Sequence, residues 1–501
     1  MTDFCRAFAL SMAIAAVAAL PVEAERPDTI RWNAGVNADF SHGPNNPFWL
    51  VSNRQGLSSV TPNNGYVRLG AFKEEKHDRD FSWGAGVDIA VPWNYTSRFV
   101  LQQLYGEVRY RCLDLMVGSK EMWGPISDPQ LSSGNMIHSG NARPIPQVKA
   151  GIFDYADIWG LKGWLAVKGY VAYGAFTDGG WKESWVGDKG RYDKNTLYCS
   201  RGVWLRNGNP DKFPLTLECG IELATQFAGS AYNVGYYGSG KTIHMPHDLK
   251  AFFKAFVPMH GGDEVDGGEQ ANVQGNMLGA WNFALSWVPF DKSWGVKAYY
   301  QHMFEDHSML YIEYPWKDGL YGVEGTLPAN PIVSKVVYEF LYAEDQTGSV
   351  NWTPSAEIPA DAPGADNYYN HYIYTGWSHW GMGIGNALSL SPLFNSPHTL
   401  EFLSNRIISH HIGISGDPLP TLSWRLLMSF TSSWGNYVSP YPEVRHMYDG
   451  LAEVSWRPQG KLKGWEGKVG LAMDRGDILG HNYGVQISIT KTGFFSLKSK
   501  K

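Results

Sequence analysis

The chain has 501 residues, of which only 18% are charged, with 56 Gly, 21 Trp, 27 Tyr and 23 Phe. A formal net charge of -6 excludes a basic nucleic-acid-binding surface, and four cysteines are too few for a disulfide-dense secreted scaffold. Abundant Gly and aromatic residues with a polar average hydropathy are what strands produce when one face meets lipid and the other water.

Residues 1–24 read as a secretory signal peptide. Arg6 gives a short basic start, "AFALSMAIAAVAAL" an apolar core too short to be a typical membrane-spanning helix, and "VEA" a small-residue cleavage site. Residues 25–501 then form one domain, because no linker or composition shift divides them. In "IRWNAGVNADF" Ile30, Trp32, Ala34, Val36, Ala38 and Phe40 alternate with Arg31, Asn33, Gly35, Asn37 and Asp39. The same period of two recurs in "PLTLECGIELATQ", "AWNFALSW", "LSWRLLMSF" and "YGVQISIT". A soluble sandwich also alternates. Here the polar faces carry Gly, Ala, Ser and Asn, aromatics recur near strand ends, and long connections (42–64, 121–146, 176–195, 227–275, 305–332) alternate with short ones. That pattern predicts an all-β protein: a transmembrane antiparallel β-barrel of about 18 strands with long external loops and one short helix in a loop. The helix is expected in "HDLKAFFKAFV", capped by Asp248, decorating its loop or entering the lumen. Residues 344–398 show no pattern from which strands can be placed.

The first long loop contains "GPNNPFWLVSN". Phe48 and Trp49 beside turn-forming Pro and Asn fit a loop folded over or into the barrel mouth, as part of a plug or of a sugar-contacting rim. Within "GYYGSGKT", Gly235, Gly240, Lys241 and Thr242 match a phosphate-binding loop, but Pro246 stops the helix that such a loop requires. His244 and His247 lack a third ligand, and His410 and His411 point to opposite faces of a strand, so no metal or other cofactor is expected. Glu305 and Asp306, adjacent in "FEDHS", diverge and make no glycosidase pair. A hairpin centred on "NGNPDK" would set Cys199 opposite Cys219, either as two small apolar groups or as a cross-strand disulfide.

The richest stretch is "DNYYNHYIYTGWSHWG". Tyr and Trp rings fit the C–H faces of sugars, and Asp and Asn fit their hydroxyls. Asp366, Asn367, Tyr368, Tyr369, Asn370, His371 and Trp377, with Phe48 and Trp49, are therefore the candidate polysaccharide contacts. The alternative reading of the same rings is an interfacial girdle and packed loop.

Taken together, "NPFWLVSNRQG", "LSSGNMIHSGNARPIPQV", "FPLTLECGIELATQFAGS", "GNMLGAWNFALSW", "AYYQHMFEDHS", "DGLYGVEG", "YEFLYAEDQTG", "DNYYNHYIYTGWSHWGMGIGNALSLSP" and "NRIISHHIGISG" resemble the Wzi-type capsule assembly family, in its Bacteroidetes-like branch. The resemblance covers nearly all of the chain after residue 24. It implies an 18-stranded outer-membrane barrel that binds capsular polysaccharide at the cell surface, lectin-like and non-catalytic. Outer-membrane lipid and lipopolysaccharide would surround it, and a monomer is expected. The strand-like "IRWNAGVNADF" follows the leader so closely that the periplasmic helical bundle of enterobacterial members is expected to be absent. Two other readings stand beside this one: a porin for oligosaccharides, and a glycan-modifying enzyme.

Overall fold

The computed structural model describes residues 29–76, 79–234, 240–263, 265, 273–305, 317–328, 330, 332–346 and 366–496. The signal-peptide reading lies outside them. Eighteen antiparallel strands form one sheet: Thr29–His42, Asn64–Lys73, Phe81–Trp93, Val100–Tyr110, Leu113–Ser119, Gln147–Asp157, Leu165–Ala175, Leu197–Asn207, Leu215–Phe227, Asn276–Trp287, Gly295–Glu305, Gly319–Thr326, Lys335–Tyr342, Ile407–Leu419, Leu422–Gly435, Pro440–Trp456, Trp465–Gly476 and Asn482–Ser496. Each pairs with its neighbour in the chain, and Thr29–His42 pairs with Asn482–Ser496 from Thr29↔Ser496 to His42↔Tyr483. The sheet is thus closed and leaves no edge strand unpaired, which is the condition for strands to cross a bilayer.

Alternation assigns the two faces. Val203 is 46% exposed and Trp204 3%, because odd positions of that strand face outward and even ones face the lumen. All the long connections fall at one end of the barrel; taking it as external puts the short turns on the periplasmic side. One expected loop is corrected. The stretch 305–332 contains the strand Gly319–Thr326, whose alternation is blurred by Gly319, Gly322 and Gly325.

Three α-helices are present among the described residues where one was expected: Phe48–Val51, Gly179–Val186 and Leu249–Phe256. Asp248 caps the last, its carboxylate accepting from the Ala251 N–H at 2.8 Å. This helix does not enter the lumen. Ala251 and Ala255 pack on Cys199 and Phe227, on the outward face of the wall. Tyr173 donates its hydroxyl to the Phe252 carbonyl at 2.9 Å, and Thr225 to that of Ala255 at 3.1 Å. The helix therefore lies against the outside of the barrel at its external rim.

The cysteine register also differs from expectation. Cys199 stands opposite Thr225, and Cys219 opposite Leu205, and all three described cysteines are free. The Lys212 and Phe213 N–H groups both bond back to the Asn209 carbonyl, forming a compact turn that moves the hairpin centre toward the C-terminus. The shift is even in number, so every side chain keeps its predicted face while its partner changes.

Candidate functional site

The lumen is filled from the external end. Loops 43–63 and 120–146 and the long segment 366–406 fold inward, and their apolar side chains join one buried core with the lumenal faces of the strands. Phe48 and Trp49 meet edge to face at 4.9 Å, and Trp49 lies 5.0 Å from His411. The Phe48 N–H donates to both Asp474 carboxylate oxygens at 3.0 Å, tying the loop to the wall. Glu339 accepts from the Ser132 hydroxyl, the Ser133 N–H and the Tyr299 hydroxyl, fixing the second loop.

The candidate contacts from the sequence sit within this plug. Tyr368, Tyr369 and Trp377 are fully buried, as are Phe48 and Trp49. The Tyr369 N–H donates to Glu305 at 2.7 Å, its hydroxyl to the Met136 carbonyl at 2.7 Å, and the Trp377 indole N–H to the Ile137 carbonyl at 2.9 Å. Asn370 is also buried and bonds both ways with Phe402. These rings pack the plug and present no open sugar face, which corrects the expectation of an exposed contact surface. Their number reflects the volume that must be filled inside a wide barrel. The edge of the segment is more open: Asp366, Asn367 and His371 are half-buried, and Tyr372 is exposed. Asn367 accepts from Asn370 and Asn405, and the His371 Nδ1 accepts from the Ile373 N–H, so both shape the turn.

Above the plug lies an aromatic platform that the sequence reading did not anticipate. The helix Gly179–Val186 carries Trp181 and Trp185 one turn apart, stacked at 5.4 Å. His398 stacks on Trp185 at 3.8 Å, and Trp380 lies 6.1 Å from Trp181. Arg143 caps the Trp380 ring at 4.7 Å. All three Trp side chains are half-buried and His398 is exposed, so the group borders solvent. Lys182, on the flank of the same helix, is buried between Asp193 at 3.1 Å and Asp178 at 3.5 Å. Burial opposes its charge, but the two carboxylates outweigh burial and raise its pKa above the ordinary lysine value. Asp178 also accepts the Trp380 N–H at 2.7 Å, locking platform to helix. The missed signal was "GGWKESWV", with two Trp at helical spacing directly after an Asp.

His379 joins platform and plug. Its Nδ1 lies 3.0 Å from the Arg143 carbonyl and so carries the proton, which leaves Nε2 to accept from the Thr177 hydroxyl at 3.0 Å. Burial, with Lys182 and Arg143 nearby, lowers its pKa.

Residues 235–239 of the phosphate-loop match lie outside the described residues, and Lys241–His244 is a strand rather than a helix. His411 faces the lumen and His410 the outside, where it bonds Tyr338. Among the described residues no three His, Cys, Asp or Glu side chains converge as a metal site.

No protein-family model matches the chain, and no curated protein matches it in sequence. Among solved structures it matches Wzi of Escherichia coli, described as an outer membrane protein involved in group 1 capsule assembly and a carbohydrate-binding β-barrel. The match covers 92% of this chain and 84% of that one, with 13% identity and a TM-score of 0.55. The fold is that of an outer-membrane β-barrel. OccAB2 of Acinetobacter baumannii (8% identity, TM-score 0.48, covering 94% of this chain and 98% of that one) and OpdQ of Pseudomonas aeruginosa (8%, 0.47, 94% and 100%) also match.

Proposed function

We propose that the protein is a non-catalytic surface barrel of the outer membrane that binds capsular polysaccharide and holds it at the cell. The observation that carries this reading is the Trp181–Trp185–His398–Trp380 platform, half-open to solvent at the external mouth and held rigid by a buried lysine. Rigid aromatic area suits the weakly apolar faces of sugar rings, and many shallow contacts along a polymer add up by multivalency. The carbohydrate binding described for Wzi agrees with this reading. The packed lumen weighs against the porin alternative, since a diffusion channel needs continuous water where this barrel has a core.

Outer-membrane lipid is the second partner. The outer helix Leu249–Phe256 turns Leu249 (88% exposed) and Phe253 (58% exposed) away from the wall that its other face covers. An eight-residue helix with two apolar faces fits a position between the barrel and the acyl chains of the outer leaflet.

Binding of purified capsular polysaccharide to the detergent-solubilised barrel tests the main reading. Wild type should retain the polymer on a solid support. Trp181→Ala with Trp185→Ala should lose most of it while keeping heat-modifiable gel migration, and unchanged binding by a folded double variant rejects the platform.

A further inference from the structure

Under the loop 43–63 the lumen keeps a cavity of about 230 Å³. Residues 50–58 roof it, the strands Thr29–His42, Asn64–Lys73 and Asn482–Ser496 wall it, and Glu121 and Trp123 complete it. Toward the short turns the same strands turn Asn33, Gly35, Gly70, Ser488 and Thr490 into the lumen, all of them small or polar and half-buried. The cavity therefore opens on the periplasmic side. Trp123 also borders a neighbouring cavity of about 330 Å³, so each space is near the lower bound for ligand pockets, roughly 300 Å³.

Trp123 differs from the rings of the plug. Trp49 and Trp377 are fully buried, whereas Trp123 is 45% exposed. Among the described residues no ring and no cation stacks on it, and its indole N–H makes no hydrogen bond. Its position depends on Gly140, where an added Cβ would fall 2.0 Å from the indole. The ring thus rests on bare backbone at that point and gives the rest of its surface to the two cavities.

Hydrogen-bonding groups with capacity to spare line the same space. Glu121 accepts from Arg68 and from Gln102 at 2.8 Å, both through Oε1, and among the described residues Oε2 has no partner. The Tyr66 hydroxyl likewise makes no hydrogen bond among them, while its ring meets Tyr95 edge-on at 6.3 Å. The charges, by contrast, are already matched. Arg68 is held by Asp88 and Glu121, and Arg54 by Glu453 at 3.3 Å. Asp39 accepts from the side-chain amides of Asn37, Asn46 and Gln486. With no surplus positive charge, an anionic ligand would leave its charge unpaired in a partly desolvated space. An open aromatic surface beside a spare phenol, a spare carboxylate oxygen and a spare indole N–H suits a ring with an apolar C–H face and many hydroxyls.

We propose that this vestibule binds a neutral hexose unit from the periplasmic side, with the sugar's C–H face on Trp123 and its hydroxyls on Tyr66 and Glu121. The site is separate from the external platform and does not rest on the capsule reading. Its readout is local to Trp123, so either proposal can fail while the other holds.

The test is fluorine NMR of the solubilised full-length barrel labelled with fluorotryptophan, titrated with glucose, galactose and mannose at neutral pH. The Trp123 resonance, identified by its absence from Trp123→Phe, should shift saturably with at least one of these hexoses. Glucuronate should need a concentration at least about tenfold higher, the effect of one unpaired charge. Calorimetry on unlabelled protein should find the same hexose about tenfold weaker in Trp123→Ala, the loss of one stacking contact. No saturable shift with any of the three, a shift confined to the Trp181 and Trp185 resonances, or binding of glucuronate as tight as that of the hexose each overturns the proposal. A folded Trp123→Ala barrel with wild-type affinity does so as well.

Discussion

Replacing Trp377 by Ala removes a fully buried indole from the centre of the plug. The ring stacks with Tyr198 at 6.1 Å, meets His138 and Phe176 edge-on at 5.9 and 6.3 Å, and bonds the Ile137 carbonyl at 2.9 Å. Truncations of this kind cost about 3–5 kcal/mol in a packed core. The closed eighteen-strand ladder does not depend on this residue, so the loss should fall on local opening of the plug rather than on unfolding of the barrel. At 1.4 kcal/mol per decade, opening should rise by roughly two to three and a half orders of magnitude. Hydrogen exchange read by mass spectrometry should show this acceleration in peptides from 126–142 and 366–388, with strand peptides such as 422–435 unchanged. Wild-type exchange in the plug of the variant would refute the reasoning and would return Trp377 to the pool of exposed sugar contacts.

Three further outcomes follow from the same geometry. A nitroxide on Phe253→Cys should be accessible to oxygen and shielded from a water-soluble nickel reagent in lipid vesicles; the reverse order would place the outer helix in water. His379 has a lowered pKa, so its neutral form stabilises the platform–plug junction fully above about pH 6.5, and that contribution is lost as pH falls below it. The protection of residues 377–381, corrected for the intrinsic base-catalysed exchange rate, should therefore fall on acidification from pH 7 to 5 in wild type and change less in His379→Gln; pH-independent protection in wild type contradicts the assignment. Maleimide should label the exposed Cys112 in the folded barrel and reach the buried Cys199 only after denaturation. A Cys199–Cys219 disulfide in the mass spectrum would contradict the observed register.

The barrel was readable because lipid and lumen impose opposite demands on successive residues. "PLTLECGIELATQ" shows this directly: Leu217 meets the outside while Glu222 turns inward to His138. Partners across a hairpin were less readable, since the Asn209 turn that sets the Cys199–Thr225 register contains no strand periodicity. The plug was the least readable. Its backbone turns rather than repeats, with positive φ at Asn367, Tyr369, Thr375 and Trp380, none of them glycine. Residue type alone could not say whether Tyr368 and Trp377 touch sugar or one another's neighbours, because aromatic side chains suit both tasks. Phe48 and Trp49 were correctly placed in a loop that enters the barrel mouth; their role there is packing.

The most direct test of the central claim is the division of capsule between cells and medium. A deletion strain should be complemented with wild type or with the Trp181→Ala/Trp185→Ala double variant, and both should reach the outer membrane in equal amount. Wild type should restore cell-bound polysaccharide, and the variant should leave most of it in the medium with total polysaccharide unchanged. Equal retention by both, or a deletion strain that never loses capsule, would contradict the account.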